Sequence, residues 1–246
     1  MIAGMSCPKA MAQGYGILFD EMEVTADNAA DIFGDGMATY DVELNQLMLK
    51  DGFLYKQSKN FVTIETGREF HIFLDGTAEF NASIVCNDEL FVESPNTGTL
   101  TITSNISGSA LDCKALFITK DVTLNLLSRN SANDMHALRC DFLSVEFGKL
   151  IAEVTTARLA VAVNEMRLEG SILTKPRGGN INPFEGGICY ADGIPAKIVH
   201  ILVGDDHGVD ELTDAPCNMA KKVFENGQIV IIKNGKKYAI TGQEIR

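Results

Sequence analysis

The composition of this 246-residue chain is that of a folded, acidic globular protein, because 46% of its residues are hydrophobic, 22% are charged and the formal net charge is −12. The last 26 residues hold six Lys or Arg and only two Asp or Glu, so the excess negative charge lies in residues 1–220. Such a surface repels phosphate backbones, which disfavours nucleic acid and anionic membranes and favours neutral or cationic partners. No run approaches the ~20 apolar residues that cross a bilayer, so no membrane span is predicted.

Residues 1–13 are interpreted as the remnant of an export signal. Residues 10–12 have the small-residue A-x-A pattern of a cleavage site, and Gln13 follows them. Two alternatives stay open. Residues 4–7, which end at Cys7, loosely resemble a lipoprotein processing site without its usual Leu, and the segment could also be an ordinary chain terminus. Export predicts a secreted protein or one on the outer cell surface.

Residues 14–60 are predicted to form an N-terminal cap. Apolar residues alternate around Asp20 and Glu21, which is typical of a β-hairpin. Thr25 then has the character of an N-cap for a short helical turn, which glycines at 34 and 36 would end. Strands are expected at 37–40 and 47–49. Since a solenoid exposes apolar ends that need covers, we interpret this segment as a cap of β and α structure.

Residues 61–203 show a repeating rhythm of short strands and turns. Apolar triplets begin at Leu90, Leu116, Leu143 and Met166, in steps of 26, 27 and 23 residues. A phrase resembling Ala-Leu-x-Cys stands before the later triplets. Self-similarity at this period, with strands as the unit, indicates a solenoid. A leucine-rich repeat has a similar period, but neither its Asn or Cys ladder nor its helical segments are visible.

This pattern predicts an all-β fold, a right-handed parallel β-helix whose coils lie ~4.8 Å apart. Like side chains then stack on successive coils, so Cys86, Cys113 and Cys140 should form an internal column. We expect free, buried thiols there rather than disulfides or zinc ligands, because the chain has no C-x-x-C pair. A β-sandwich is the alternative fold, although it gives no reason for the repeated Ala-Leu-x-Cys phrase.

The chain after residue 203 divides into an acidic linker, 204–220, and a tail, 221–246. Asp205, Asp206 and Asp210 lie on a glycine-bordered part of the linker, where carboxylates could hold Ca²⁺. Their spacing matches no EF-hand, and a solvated linker is the favoured interpretation. In the tail, Asn234 and Gly235 stand between two β-rich runs, which predicts a β-hairpin.

Residues 15–50 closely resemble the opening unit of a family of secreted bacterial β-helix proteins of largely unassigned function. The matching residues are Val24-Thr25, Asn28-Ala29, Ile32, Gly34-Asp35-Gly36, Tyr40-Asp41, Asn45 and Leu47-Met48-Leu49. Met48 replaces the usual Thr, and Phe19 stands where Trp is frequent. Residues 187–201 resemble the closing strands of that family, and the end of the chain resembles a tail of many exported proteins of the same bacteria. The resemblance implies export from gut-type bacteria and a loose grouping with carbohydrate-binding or adhesin-like proteins, but no reaction.

Two sets of residues are candidates for a functional site. Tyr190 and Phe184, in or near the long turn 175–187, could provide the aromatic surface on which a sugar stacks, since the chain has no Trp. Packing of that turn against the coil is the favoured interpretation. Asp112 and Asp141, with Arg139 and Lys114 nearby, are outward-facing on successive coils and could serve a polysaccharide lyase or glycoside hydrolase. Solvated surface charge is the alternative for this second set.

The favoured function is that of a non-enzymatic secreted or surface protein, adhesin-like or glycan-binding, because a long regular surface is predicted without an established catalytic motif. The alternatives are a polysaccharide-degrading enzyme that uses the outward carboxylates, and a structural spacer. The predicted partner is a glycan or another component of a cell surface.

Overall fold

The structure is a computed structural model, and it describes residues 13–56, 61–105, 108–129, 135–204, 221–225, 228–233, 236–239 and 244–245. The chain divides into two units, Met1–Asp206 and His207–Arg246. Every regular element in the described ranges is a β-strand, and none is a helix. The predicted all-β class is therefore confirmed.

The strands of the first unit build two sheets. In chain order they are β1 (Gly14–Phe19), β2 (Met22–Thr25), β3 (Ala38–Asp41), β4 (Gln46–Lys50), β5 (Phe53–Tyr55), β6 (Phe61–Ile64), β7 (Phe70–Asp75), β8 (Thr77–Phe80), β9 (Ser83–Glu93), β10 (Gly98–Ser104), β11 (Leu111–Ile118), β12 (Val122–Ser128), β13 (Leu138–Glu146), β14 (Lys149–Val154), β15 (Val161–Glu169), β16 (Ser171–Lys175), β17 (Asn180–Asn182), β18 (Gly187–Cys189) and β19 (Ile198–Val203).

Parallel pairing between successive coils forms a β-solenoid of about five turns. In the first sheet, β6 and β7 pair with the two halves of β9, and β9 is followed by β11, β13 and β15. In the second sheet, β5, β8, β10, β12 and β14 are parallel neighbours. This excludes the β-sandwich. The right-handed sense of the coil stays a prediction.

The register of the parallel strands confirms the repeat seen in the sequence. Leu116 is paired with Leu90 on one side and with Leu143 on the other, and Leu143 is paired with Met166. The first three of these side chains are fully buried. Alternate residues point inward because successive side chains of a strand face opposite sides of a sheet.

The cysteine column is also confirmed. Cys113 is paired with Cys86, while Cys140 lies on the next coil in contact with Cys113, and all three are buried free thiols. Burial raises the pKa of Cys86 to about 11. A hydrogen bond with the Cys140 thiol, together with burial, raises the pKa of Cys113. The column therefore packs as neutral, small apolar groups.

The segment after Thr25 forms turns and no regular helix, although Thr25 caps the first turn as predicted, since its Oγ1 accepts from the Asp27 amide at 3.3 Å. Thr25 does make local bonds, since its carbonyl accepts from the Ala29 amide at 2.9 Å. The Asp31 carboxylate, however, accepts from the Gly36 amide at 2.9 Å, and Gly36 has a φ of 71°. This side-chain bond and the left-handed glycine reverse the chain before a second helical turn can form.

The predicted boundaries of the cap and the β-helix also differ from the strand pairing. β1 and β2 are antiparallel to each other, and β3 is antiparallel to β4. Yet β4 is already parallel to β7, so coil stacking begins at Gln46, within the segment 14–60 that was predicted as a cap. That the first strands seal an apolar end stays a prediction.

Parallel pairing ends before residue 203, where the predicted β-helix was expected to end. β19 lies between β14 and β16 and is antiparallel to both, and β18 is antiparallel to β15. Two turns cause the reversal. The Gly186 amide donates to the Asn182 carbonyl at 2.9 Å, and the Gly193 amide donates to the Tyr190 carbonyl at 2.9 Å. The last coil is therefore followed by antiparallel strands.

The described residues of the second unit form four antiparallel strands, which are β20 (Lys221–Glu225), β21 (Gln228–Lys233), β22 (Lys236–Ala239) and β23 (Glu244–Ile245). β21 and β22 are the two runs that flank Asn234 and Gly235, which themselves lie outside the described residues. β20 and β23 were not predicted. That this unit is a tail of the kind found in exported proteins stays a prediction.

Candidate functional site

The predicted calcium ligands Asp205, Asp206 and Asp210 lie outside the described residues, as does the predicted linker apart from Gly204. Within the described ranges, no group of three His, Cys, Asp or Glu side chains could hold a metal ion. Calcium binding therefore stays a prediction.

Phe184 lies at an open cleft of about 400 Å³, which we call the loop cleft. Its ring is 98% exposed, so both faces are accessible to a ligand. The favoured interpretation, packing of the turn against the coil, therefore does not extend to the Phe184 ring. The residues that line the loop cleft are Asn180, Ile181, Asn182, Pro183, Phe184, Ala191, Asp192 and Gly193.

Two polar side chains shape the loop cleft while keeping atoms available for a ligand. The Asn182 Oδ1 accepts from the Phe184 amide at 3.0 Å, and the Asp192 Oδ1 accepts from the Ile194 amide at 3.1 Å. The Asn182 Nδ2 and the Asp192 Oδ2 have no hydrogen-bond partner among the described residues. A donor and an acceptor thus stand beside an open aromatic ring, a combination that suits sugar hydroxyls.

Tyr190, the second predicted ligand residue, is 44% exposed and does not line the loop cleft. Its amide donates to the Ile194 carbonyl at 2.8 Å, and its carbonyl accepts from the Gly193 amide. These bonds close the turn that carries Asp192. Tyr190 therefore holds one of the turns that form the loop cleft, but it does not line the cleft itself.

A second cleft of about 380 Å³, the coil cleft, brings together the carboxylates that the sequence suggested for catalysis. The Arg139 guanidinium donates to the Asp112 carboxylate on the neighbouring strand, and the Asn164 Nδ2 donates to the Asp141 Oδ1 at 3.0 Å. Lys114 does not line it. The lining residues are Asp112, Cys113, Arg139, Cys140, Asp141, Ala162, Val163, Asn164 and Gly186.

A third cleft, the turn cleft, has a volume of about 610 Å³ and lies beside the turn between β3 and β4. His71 Nδ1 is 2.9 Å from the Glu93 Oε2, and His71 Nε2 is 3.9 Å from the Glu69 Oε1. The residues that line the turn cleft are Glu43, Leu44, Asn45, Arg68, Glu69, His71 and Glu89.

An aromatic row runs from the turn cleft across the outer face of the first sheet, and it consists of His71, Phe91, Phe117 and Phe142. The centroid distances between successive rings are 4.9, 4.4 and 5.7 Å. All four side chains are half-buried. Sequence reasoning missed this row, although the repeat that aligns Leu90 with Leu116 also places Phe91 beside Phe117.

No known protein family, curated protein or solved structure matches this chain. None of the described segments is a helix that is long and apolar enough to span a membrane. The resemblance to secreted bacterial β-helix proteins therefore stays an expectation from the sequence.

Proposed function

We propose that this chain is a non-enzymatic, secreted or cell-surface protein that binds a glycan at the loop cleft. The observation that carries the proposal is the fully exposed Phe184 ring beside the free polar atoms of Asn182 and Asp192. Single exposed apolar residues are common on protein surfaces, so the ring alone would mean little. Here the ring, an amide donor and a carboxylate acceptor converge, which is the chemistry of sugar recognition.

The location of the loop cleft supports the same function. It is built on two turns, 182–186 and 190–193, that emerge from the end of a rigid stack of strands. Binding residues are disproportionately found on loops that a rigid scaffold positions. The secreted or surface location rests on the A-x-A pattern at 10–12 and on the family resemblance, and the adhesin-like role follows from both.

A glycan array with neutral oligosaccharides tests this function. We expect the full chain to bind at least one class, and Phe184→Ala to weaken that binding at least tenfold, or by about 1.4 kcal/mol. Phe147→Ala is the matched control, since Phe147 is also exposed, at 43%, but does not line the loop cleft. Absence of binding to any glycan, or equal losses in the two variants, would contradict the proposal.

The coil cleft favours a second candidate function, the hydrolysis or elimination of a glycosidic bond. Asp112 and Asp141 lie on successive coils in one cleft, and Arg139, from the same strand as Asp141, pairs with Asp112. Two carboxyl groups can act as acid and base or nucleophile. Asp112 is paired with the Arg139 guanidinium, whereas Asp141 has a neutral hydrogen-bond partner in Asn164.

Product release from a panel of polysaccharides decides between the two functions. An enzyme would release reducing ends or unsaturated products, and Asp141→Asn would lower the rate by about 100-fold or more, because a catalytic carboxyl group would be lost. Asp75→Asn, on an exposed residue of β7 away from the coil cleft, is the control. If the wild-type chain releases no product from any polysaccharide, the enzymatic candidate is rejected.

A further inference from the structure

The two polar side chains of the loop cleft are held in fixed orientations by the turns that carry them. The Phe184 amide donates to the Asn182 Oδ1 at 3.0 Å, and the Ile194 amide donates to the Asp192 Oδ1 at 3.1 Å. Asn and Asp side chains form such local bonds with the amide two residues later, and the bonds fix the side-chain rotamers. Because Oδ1 is the bonded atom in each case, the Asn182 Nδ2 and the Asp192 Oδ2 are the atoms that are left for a ligand.

The Asn182 Nδ2 is kept open by a glycine. Gly193 lines the loop cleft, and a Cβ at this position would lie 3.3 Å from the Asn182 Nδ2. Its φ of 83° also disfavours any residue with a side chain. Gly193 directly follows Asp192, so the free donor lies near the turn that carries the free acceptor. The loop cleft therefore presents one N–H donor and one carboxylate acceptor that come from two different turns.

This pair of groups matches the amide of an N-acetylated sugar. A secondary amide has one C=O acceptor and one N–H donor, so its oxygen can accept from the Asn182 Nδ2 while its N–H donates to the Asp192 Oδ2. The second bond has an ionised acceptor, which makes it stronger than a bond between neutral groups. The methyl group of the acetyl can pack on the Phe184 ring, which is 98% exposed and therefore has apolar surface to remove from water.

Other substituents of a sugar ring satisfy the loop cleft less well. A free ammonium group has donors only, so it would leave the Asn182 Nδ2 without an acceptor. A carboxylate or sulfate would face the Asp192 carboxylate, and no Lys, Arg or His is among the described residues that line the loop cleft. A hydroxyl group can donate and accept, but it brings no methyl group to the Phe184 ring.

We propose that the loop cleft selects N-acetylated amino sugars, with the acetamido group bonded to Asn182 and Asp192 and its methyl group on Phe184. This inference rests on the proposed function, because it names the class of sugar that the same cleft binds. A site built to hydrogen-bond a polar group discriminates against an analogue that lacks the group, since the partners of that group are left unpaired. The loop cleft is open to water, which can hydrate an unpaired partner, so we expect a preference of about tenfold rather than the far larger ones of enclosed sites.

Calorimetric titration of the full chain with matched pairs of oligosaccharides tests this inference, one pair made of N-acetylglucosamine or glucose and the other of N-acetylgalactosamine or galactose. In at least one pair we expect the acetylated member to bind about tenfold more tightly. Asn182→Asp keeps the oxygen that accepts from the Phe184 amide but replaces the free donor with an acceptor, so it should reduce the preference to within roughly twofold. Phe184→Ala should weaken the binding of both members.

Asn96→Asp is the matched control, since it makes the same change at an exposed residue between β9 and β10 that does not line the loop cleft. It should keep the whole preference. Equal losses in Asn182→Asp and Asn96→Asp would show an effect of added charge and overturn the inference, as would an Asn182→Asp variant that keeps the preference. A wild-type chain that binds both members of each pair equally would overturn the inference and leave the proposed function standing. Binding to no glycan would overturn both.

Discussion

Phe80→Ala should lower the free energy of unfolding by about 4 kcal/mol, the typical cost of removing a buried aromatic side chain. Phe80 is fully buried at the end of β8, and its ring lies 5.3 Å from Phe53 and 5.9 Å from Tyr55 between centroids. Phe19 is stacked on it at 6.5 Å. Removal of the ring leaves a cavity that these stiff aromatic neighbours, held by β-strands, are poorly able to fill. Denaturant unfolding followed by far-ultraviolet circular dichroism measures the loss.

Phe184→Ala is the control for this prediction, because it makes the same chemical change at a ring that is 98% exposed. We expect it to change the free energy of unfolding by less than about 0.5 kcal/mol. Similar losses in the two variants would mean that the aromatic cluster around Phe80 does not form. Native hydrogen exchange of the amides in β8 and β10 assigns the loss to the solenoid.

The solenoid could be predicted from the sequence because parallel stacking makes each coil repeat the constraints of the one before it. Leu90, Leu116 and Leu143 occupy equivalent inward positions, so they must all be apolar, and the spacing of such residues in the sequence reports the length of a coil. The same logic predicted the cysteine column. A repeated structural environment leaves a repeated pattern in the sequence.

The parts that were not predicted lack that repetition. The reversal of β18 and β19 depends on two single turns, at Gly186 and Gly193. The sequence of one turn does not indicate which strand will pair with the strand that follows it. Thr25 caps a turn as its sequence signal predicted, but the bond from the Gly36 amide to the Asp31 carboxylate, five residues apart, reverses the chain before a helix can form. Both outcomes depend on contacts that cannot be predicted from the local pattern of apolar and polar residues.

The candidate sites also differ in how far the sequence could predict them. Phe184 was recognised because an aromatic residue in a polar loop stands out in the sequence, whereas the turn cleft was missed because Glu43, Arg68 and Glu89 come from three separate coils. Only the coil register brings them together. The carboxylates of the coil cleft were found for the converse reason, since Asp112 and Arg139 are one repeat apart and the repeat places them side by side.

The cysteine column should make the stability of the protein fall at alkaline pH. Burial raises the pKa of the Cys86 thiol to about 11, whereas its ordinary value is 9.0. Well below pH 9.0 the thiol is neutral in both the folded and the unfolded chain, so its full contribution is present. As the pH rises, the unfolded chain ionises first and is favoured, until the folded-state thiol also ionises near pH 11.

Between about pH 8 and about pH 10.5, Cys86 alone should therefore reduce the free energy of unfolding by about 2 kcal/mol, because one unit of pKa difference corresponds to about 1.4 kcal/mol. Cys86→Ala removes this thiol and keeps the other ionisable groups of the chain. Denaturant unfolding of both proteins across this pH range should give curves that converge as the pH rises, since only the wild-type chain loses this contribution. Parallel curves would show that the Cys86 thiol ionises as easily in the folded chain as in the unfolded one. That result would contradict the burial of Cys86, because a thiol packed between Cys113 and Ile64 on the neighbouring strands has no water to stabilise the thiolate.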